Sequence, residues 1–308
     1  MNYVIVIDSV GCVPESEIKK RSIKVMPLAV TFEGVDYYDT VDESSLISIH
    51  NAGRVGVKTE SVSVTPTEQN VHDYMNKQVM PNYDVALCQL IGRNYTPIYD
   101  AFQAVSKSYS VKAPAKESFV MNCLETGSLA AGQGLTALYS DDLLSEGIDI
   151  ADYREVIDDF KTLVKSITIV RDSVYIRHRV KQKGNKTVSL PVAMLANALQ
   201  VSPIANNQCG EIDIIDMKSM GFDKSVDRVL GYCCDRAEEG LVAPLINISF
   251  AGDPVTLNKH SNFKRLQHIC DDSGIALYTG VMTLAASINL GPGSMSIGIA
   301  PINQDIDP

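Results

Sequence analysis

The feature that most constrains this chain is the spacing of its apolar runs. Short stretches rich in Val, Ile and Phe at residues 3–7, 25–32, 85–90 and 119–121 read as strands. Between them, residues 67–79 and 98–106 carry apolar side chains at helical spacing, as in Val71, Tyr74, Met75 and Val79. Strands that alternate with helices predict a parallel sheet covered on both faces. A hairpin turn is expected at residues 31–35, around Glu33-Gly34.

The pattern changes after an amphipathic helix at 152–165, where Tyr153, Val156, Ile157, Phe160, Leu163 and Val164 share one face. Asp149 or Asp152 suits its start, since acids favour the positive end of the helix dipole. Beyond it come a strand at 167–170 and two hairpin arms at 203–206 and 211–215. Helices follow at 224–239 and 261–272, then a last strand at 295–299. Met295, Ile297 and Ile299 alternate there with Ser296 and Gly298, the signature of a half-buried strand in a mixed sheet. The expected architecture is α/β. A parallel-sheet α/β/α domain over residues 1–163 carries hydroxyl-rich loops, and a smaller α+β domain with a mixed or antiparallel sheet spans 164–308.

Composition removes several function classes. Lys plus Arg total 27 against 37 Asp plus Glu, a net charge of −10; that balance disfavours nucleic acid, whose binding needs cations to displace phosphate counterions. No apolar run approaches the ~20 residues of a membrane-spanning helix. The start of the chain lacks a basic stretch and reads as a strand, not a signal peptide, so the expected compartment is the cytoplasm. The seven cysteines are odd in number and form no Cys-x-x-Cys pair, so neither a disulfide framework nor a zinc site is suggested. Cys88 and Cys123 lie in strand-like runs and read as core.

Enzyme motifs fail on context. Gly132-Gln133-Gly134-Leu135-Thr136-Ala137 matches the dinucleotide fingerprint in letters, but it sits inside a helix already under way. Close helix packing explains the glycines better. No phosphate loop, nucleophile elbow or His-Glu-x-x-His pair occurs, and the five histidines are scattered. No catalytic residue, metal site or cofactor is expected.

Loops at the carboxyl ends of parallel strands hold ligands in open sheets. Here they are Asp8-Ser9-Val10-Gly11, the segment Ser61 to Glu68, and Gly92-Arg93-Asn94-Tyr95-Thr96-Pro97. Thr65 is expected as an N-cap with Pro66 at the first helical position and Glu68 closing a capping box; Thr96-Pro97 repeats the arrangement. Such helix starts serve either as an anion site or simply as caps, and spacing alone leaves both open.

At these same loops the sequence resembles the DegV family of bacterial fatty-acid-binding proteins. The resemblance rests on Ile5-Val6-Ile7-Asp8-Ser9, on Val25-Met26-Pro27-Leu28-Ala29-Val30-Thr31-Phe32-Glu33-Gly34 with Tyr38-Asp39 following, and on Gly291-Pro292-Gly293 before the last strand. It runs along essentially the whole chain. It implies a long-chain fatty acid held between the two domains, with its carboxylate on loop hydroxyls and on a group just before Gly291. Some members present the acid to a separate fatty-acid kinase, so the binding subunit is not the catalyst.

Carried over position by position, the resemblance places the head group near Ser61, Val62, Arg93, Thr96, Pro97, Asn289 and Gly291. Val62 stands where the family has a hydroxyl, Pro97 where it has glycine and Asn289 where it has histidine; Arg93 is expected to supply a cation instead. The basic stretch with Arg177, Arg179, Lys183 and Lys186 corresponds to a family loop that serves partner docking. An acyl ligand also leaves transient contact with a membrane surface open. Two other readings stand beside this one: an enzyme or binder of a small organic acid or phosphate using Arg93, Ser61 and Asp8, and a family member that has lost its ligand.

Overall fold

The computed structural model describes residues 2–57, 59–111, 119–182, 202–216 and 221–306. The first sheet is fully parallel, in the order β2-β1-β6-β7: β1 is Tyr3–Asp8, β2 Ile23–Met26, β6 Val85–Leu90 and β7 Val120–Glu125. Its central strands are buried on both faces and are apolar throughout their middle, with Asp8 and Gln89 the buried polar residues near their carboxyl ends. Val4 and Val6 meet the helices α3 (Glu68–Tyr74, continued by a π turn at Met75–Val79) and α4 (Ile98–Val111). Ile5 and Ile7 meet α5 (Ala130–Ser145) and α6 (Ile150–Leu163) on the other face. The N-cap of α6 is Asp149, which accepts from the Ala151 amide at 2.8 Å.

The run at 25–32 does not form one strand. Pro27 lacks an N–H and breaks the ladder, so β2 ends at Met26 and β3 (Ala29–Phe32) enters a different sheet. That small antiparallel sheet has the order β4-β3-β5, with β4 at Val35–Tyr38 and β5 at Ser61–Val64. The turn between β3 and β4 is Glu33-Gly34, both at positive φ, as a two-residue hairpin turn of this twist requires.

The six-stranded second sheet has the order β10-β9-β8-β13-β11-β12 and is mixed. It comprises β8 (Lys165–Ile169), β9 (Ile204–Gln208), β10 (Glu211–Asp216), β11 (Leu245–Phe250), β12 (Ala276–Val281) and β13 (Met295–Ile299). Only β11 and β12 pair in parallel. One face packs Ile167, Ile248 and Ile297 against α8 (Phe222–Glu239) and α9 (Ser261–Ser273).

The opposite face is not open to solvent. Ser296 and Gly298 are buried beneath α5, so β13 is covered on both sides rather than half-buried. Small residues are there because a helix backbone must approach: a Cβ on Gly298 would stand 2.4 Å from the Ala131 carbonyl oxygen. The same logic explains Gly132 and Gly134, whose added Cβ atoms would collide with Ser166 and with the Cys12 carbonyl. Helix α5 thus lies between the two sheets, and its apolar residues face all round for that reason. Two further helices complete the account of the site: α7 (Ser173–Gln182) and α10 (Leu284–Leu290), which runs into Gly291-Pro292-Gly293.

Candidate functional site

The site begins at the end of β1. Asp8 is fully buried, and its carboxylate accepts from the Val10 and Ile91 amides, each at 3.0 Å, and from Gln133 Nε2 at 2.9 Å. Burial raises its pKa, against the pull of those donors. Ser9 Oγ accepts from the Leu28 amide at 3.1 Å. The Asp-Ser pair therefore fixes three apolar residues, Val10, Leu28 and Ile91, as walls of one cavity.

That cavity has a volume of about 290 Å³. Leu129, Ile98, Ile212, Ala286 and Leu290 extend its apolar lining, and Tyr95 closes it by bonding to Asn207 of β9. Its polar groups gather along β5 and the facing helix. Asn289 Nδ2 donates to Ser63 Oγ at 3.1 Å, and the Thr65 and Thr96 hydroxyls stand 3.1 Å apart. All four side chains line the cavity.

Three expected positions move once the backbone is seen. From this stretch Ser63 and Thr65 reach the cavity, and the expected Ser61 and Val62 do not. Val62 faces outward, paired with Thr31 and 43% exposed, while Ser61 is buried behind the wall. Thr65 is not the N-cap of α3. Thr67 takes that role and forms the capping box with Asn70, which frees Thr65 for the cavity. The period-two alternation Ser61, Ser63, Thr65 was the available signal.

Arg93, expected as a cation for the head group, is placed away from the cavity. Its guanidinium lies 4.1 Å from the Tyr99 ring centre, 3.2 Å from Asp100 and 3.8 Å from Glu125, and it does not line the cavity. Thr96, Pro97 and Asn289 do line it. Gly291 sits one turn beyond, closing α10 at φ 99° with its amide on the Ser287 carbonyl.

A buried cation beside this wall is Arg179, a member of the basic stretch expected to serve docking. It is 4% exposed; Nη1 donates to the Ser61 carbonyl at 2.5 Å and Nη2 to Asn289 Oδ1 at 3.5 Å. Burial lowers its pKa from the ordinary value, although a guanidinium remains charged. Tyr175 and Arg179, at i and i+4, share the buried face of α7 with Ile176, a pattern readable in the sequence. Lys183 and Lys186 lie outside the described residues, as does the side chain of Arg177.

Asn289 is held in place from below. Asp39, 5% exposed, accepts from the Leu284 and Ala285 amides at 3.0 Å each and so anchors the start of α10. Burial pushes its carboxyl up to about 6. Among the described residues no cluster of His, Cys, Asp and Glu could hold a metal ion, and no helix is long and apolar enough to cross a membrane.

A family model described as "Uncharacterised protein, DegV family" matches residues 2–301. A DegV domain-containing protein of Xanthomonas axonopodis pv. citri is 27% identical over 308 residues, 97% of this chain and 98% of its own. The structure of DegV from Bacillus subtilis, described as a fatty acid binding protein, superposes with a TM-score of 0.75 at 16% identity, covering 98% of this chain and 99% of that one. A DegV family protein from Eubacterium eligens, loaded with heptadecanoic acid, gives 0.71 at 15% identity, covering 97% and 99%.

Proposed function

The chain belongs to the DegV family, and from that premise we propose that it binds one long-chain fatty acid in the cavity described above. The carboxylate lies against Ser63, Thr65, Thr96 and Asn289, with Arg179 behind the amide. The acyl chain runs along Val10, Leu28, Ile91 and Leu129, toward Ile212 of the second half of the chain. One observation carries the reading: a largely apolar cavity whose few polar groups converge on one wall. The ligands of the Bacillus and Eubacterium proteins support the same ligand class.

Magnitudes favour an acyl chain over a small acid. Each buried methylene contributes ~0.8 kcal/mol. About ten of them supply ~8 kcal/mol, the equivalent of micromolar affinity before the head group is counted. The hydroxyls then select the acid over its esters. Nothing in the reading asks for a reaction, since Asp8 is saturated by three donors and Arg93 by two acids.

The finer part of the proposal is that this is a non-catalytic subunit, working in the cytoplasm with residues 1–163 and 164–308 as its two domains. It presents its acid to a separate fatty-acid kinase that docks on Arg177, Lys183 and Lys186. Arg179, buried at the cavity, drops out of that docking set. Charge reversal of Arg177 and Lys183 to Glu is expected to weaken kinase binding while leaving lipid content unchanged; intact binding would remove the docking claim.

Displacement of a fluorescent fatty acid tests the ligand. Palmitic acid is expected to compete at about micromolar concentration, and its methyl ester about tenfold less well. If octanoic acid competes as well as palmitic acid, or if neither displaces the probe, the proposal fails.

A further inference from the structure

On the other side of Gly291–Gly293 lies a second, larger cleft of about 580 Å³. It opens beyond the carboxyl ends of β8, β11 and β12, which all run in one direction because β8 and β11 are both antiparallel to β13. Phe222 and Phe250 form its apolar wall, with ring centres 6.4 Å apart. The Arg171 guanidinium lies 4.8 Å from the centre of the Phe222 ring, and among the described residues no carboxylate comes within ion-pair distance of it.

The acids around the cleft are already engaged. Asp172 accepts from the Val174 and Tyr175 amides at 2.9 and 3.0 Å, Asp253 from the Val255 amide at 2.9 Å, and Asp223 holds Lys259 at 2.8 Å. His260 lines the cleft at 7% exposure, yet its ring makes no hydrogen bond among the described residues. Its nearest carboxylates, Asp223 and Asp227, are 3.9 and 3.8 Å away. Helices α8 and α9 both start here, from Gly221 and His260; in the first turn of α9 the Asn262 amide donates to Asp227 at 3.3 Å, whereas the start of α8 has no side-chain cap bond. The uncapped start of α8 leaves N–H groups and a partial positive charge facing outward.

His50 adds an acceptor. Its Nε2 stands 2.8 Å from the Met282 carbonyl oxygen and must donate to it, which leaves Nδ1 with a buried lone pair and no partner.

We propose that this cleft binds a phosphate monoester of a small organic molecule, with the phosphate on Arg171, His260 and the start of α8 and the organic part against Phe222 and Phe250. A ligand hydroxyl donates to His50 Nδ1. The volume lies within the range of small-molecule sites, and helix starts beside a guanidinium are a recurrent way to hold phosphate. The inference does not depend on the fatty-acid reading.

The test is a titration of the isotope-labelled full chain with inorganic phosphate, AMP and adenosine, followed by amide chemical shifts. Phosphate and AMP are expected to shift the amides of Arg171, Phe222 and His260, whereas adenosine does not. Arg171→Ala, at an exposed position that leaves the core intact, weakens AMP binding by at least about tenfold, as loss of a charge-assisted contact implies. Its fatty-acid displacement stays unchanged, which separates failure here from failure of the lipid reading. Silence of phosphate and AMP at about ten times a millimolar Kd, or shifts undiminished in Arg171→Ala, would overturn the site.

Discussion

On one side of the Gly291–Gly293 turn the lining includes Val10, Leu28, Ile91, Leu129 and Ala286, with the hydroxyls of Ser63, Thr65 and Thr96 and the Asn289 amide; on the other it includes Arg171, Lys259, two histidines, two phenylalanines and the aspartates Asp172, Asp223 and Asp253, which are engaged by backbone amides or by Lys259. The two spaces share a boundary, since Asn289 and Leu290 line the first and Pro292 and Gly293 the second. They differ in where charge is kept. In the first, Arg179 is buried one step behind Asn289, so the cavity surface is apolar with hydrogen-bonding points. In the second, Arg171 stands exposed at the rim. A buried cation behind an amide suits a carboxylate on a long apolar tail, because desolvation of the tail and orientation of the head are then separate tasks. An exposed cation beside helix starts suits a hydrated, compact anion.

The sharpest way to break this contrast is to fill the apolar side alone. Ala286→Phe projects a ring into the first cavity. Displacing roughly four methylenes costs ~3 kcal/mol, so fatty-acid affinity is expected to fall about 100-fold, with the second cleft unaffected. A displacement assay on the purified variant reads this directly.

Arg179→Met comes next. Removing the cation is expected to weaken the acid by about 10- to 100-fold, the scale of a charge-assisted hydrogen bond, and to leave the methyl ester unchanged. An equal loss for acid and ester would mean that Arg179 acts only as packing.

The boundary helix has its own signature in pH. Burial pushes Asp39 up to about 6, above the 3.8 of an unperturbed aspartate. The folded state therefore holds this proton more tightly than the unfolded chain. That contribution to stability is fully present below about pH 4 and is lost as pH rises through 6. Asp39→Asn should flatten this part of the stability curve, by on the order of 2 kcal/mol between pH 4 and 7, in chemical denaturation.

Smaller effects refine the head group. Thr65→Val removes one hydroxyl from the cavity wall and is expected to weaken acid binding about 3- to 10-fold in the displacement assay. Arg93→Ala is expected to change binding less than about twofold and stability by under ~0.5 kcal/mol, as for other exposed ion pairs.

What could be read from the sequence was whatever is decided locally. The alternation of apolar runs gave β1 and β6, the 3.6-residue stripe of Tyr153, Ile157 and Phe160 gave α6, and the Cys209-Gly210 pair marks a hairpin turn that the structure places between β9 and β10, at φ 53° and 83°. Elements decided by neighbours misled. Ser296 and Gly298 look solvent-facing until α5 is laid across them, and Thr65 looks like a cap until Thr67 is seen to have taken that role. The site suffered most, because it joins positions 10, 65, 96, 212 and 289 from five separate elements or loops. The resemblance located its loops, but the two-residue shift along β5 and the inward turn of Arg179 are set by sheet register and helix face.

The central claim is that the cavity beside Asn289 holds one long-chain fatty acid. Native mass spectrometry of the purified protein, followed by solvent extraction, tests it most directly. The account predicts one acid of long chain per protein molecule, absent from Ala286→Phe. A protein that is empty and takes up no added fatty acid, or one whose bound acid survives that substitution, would contradict it.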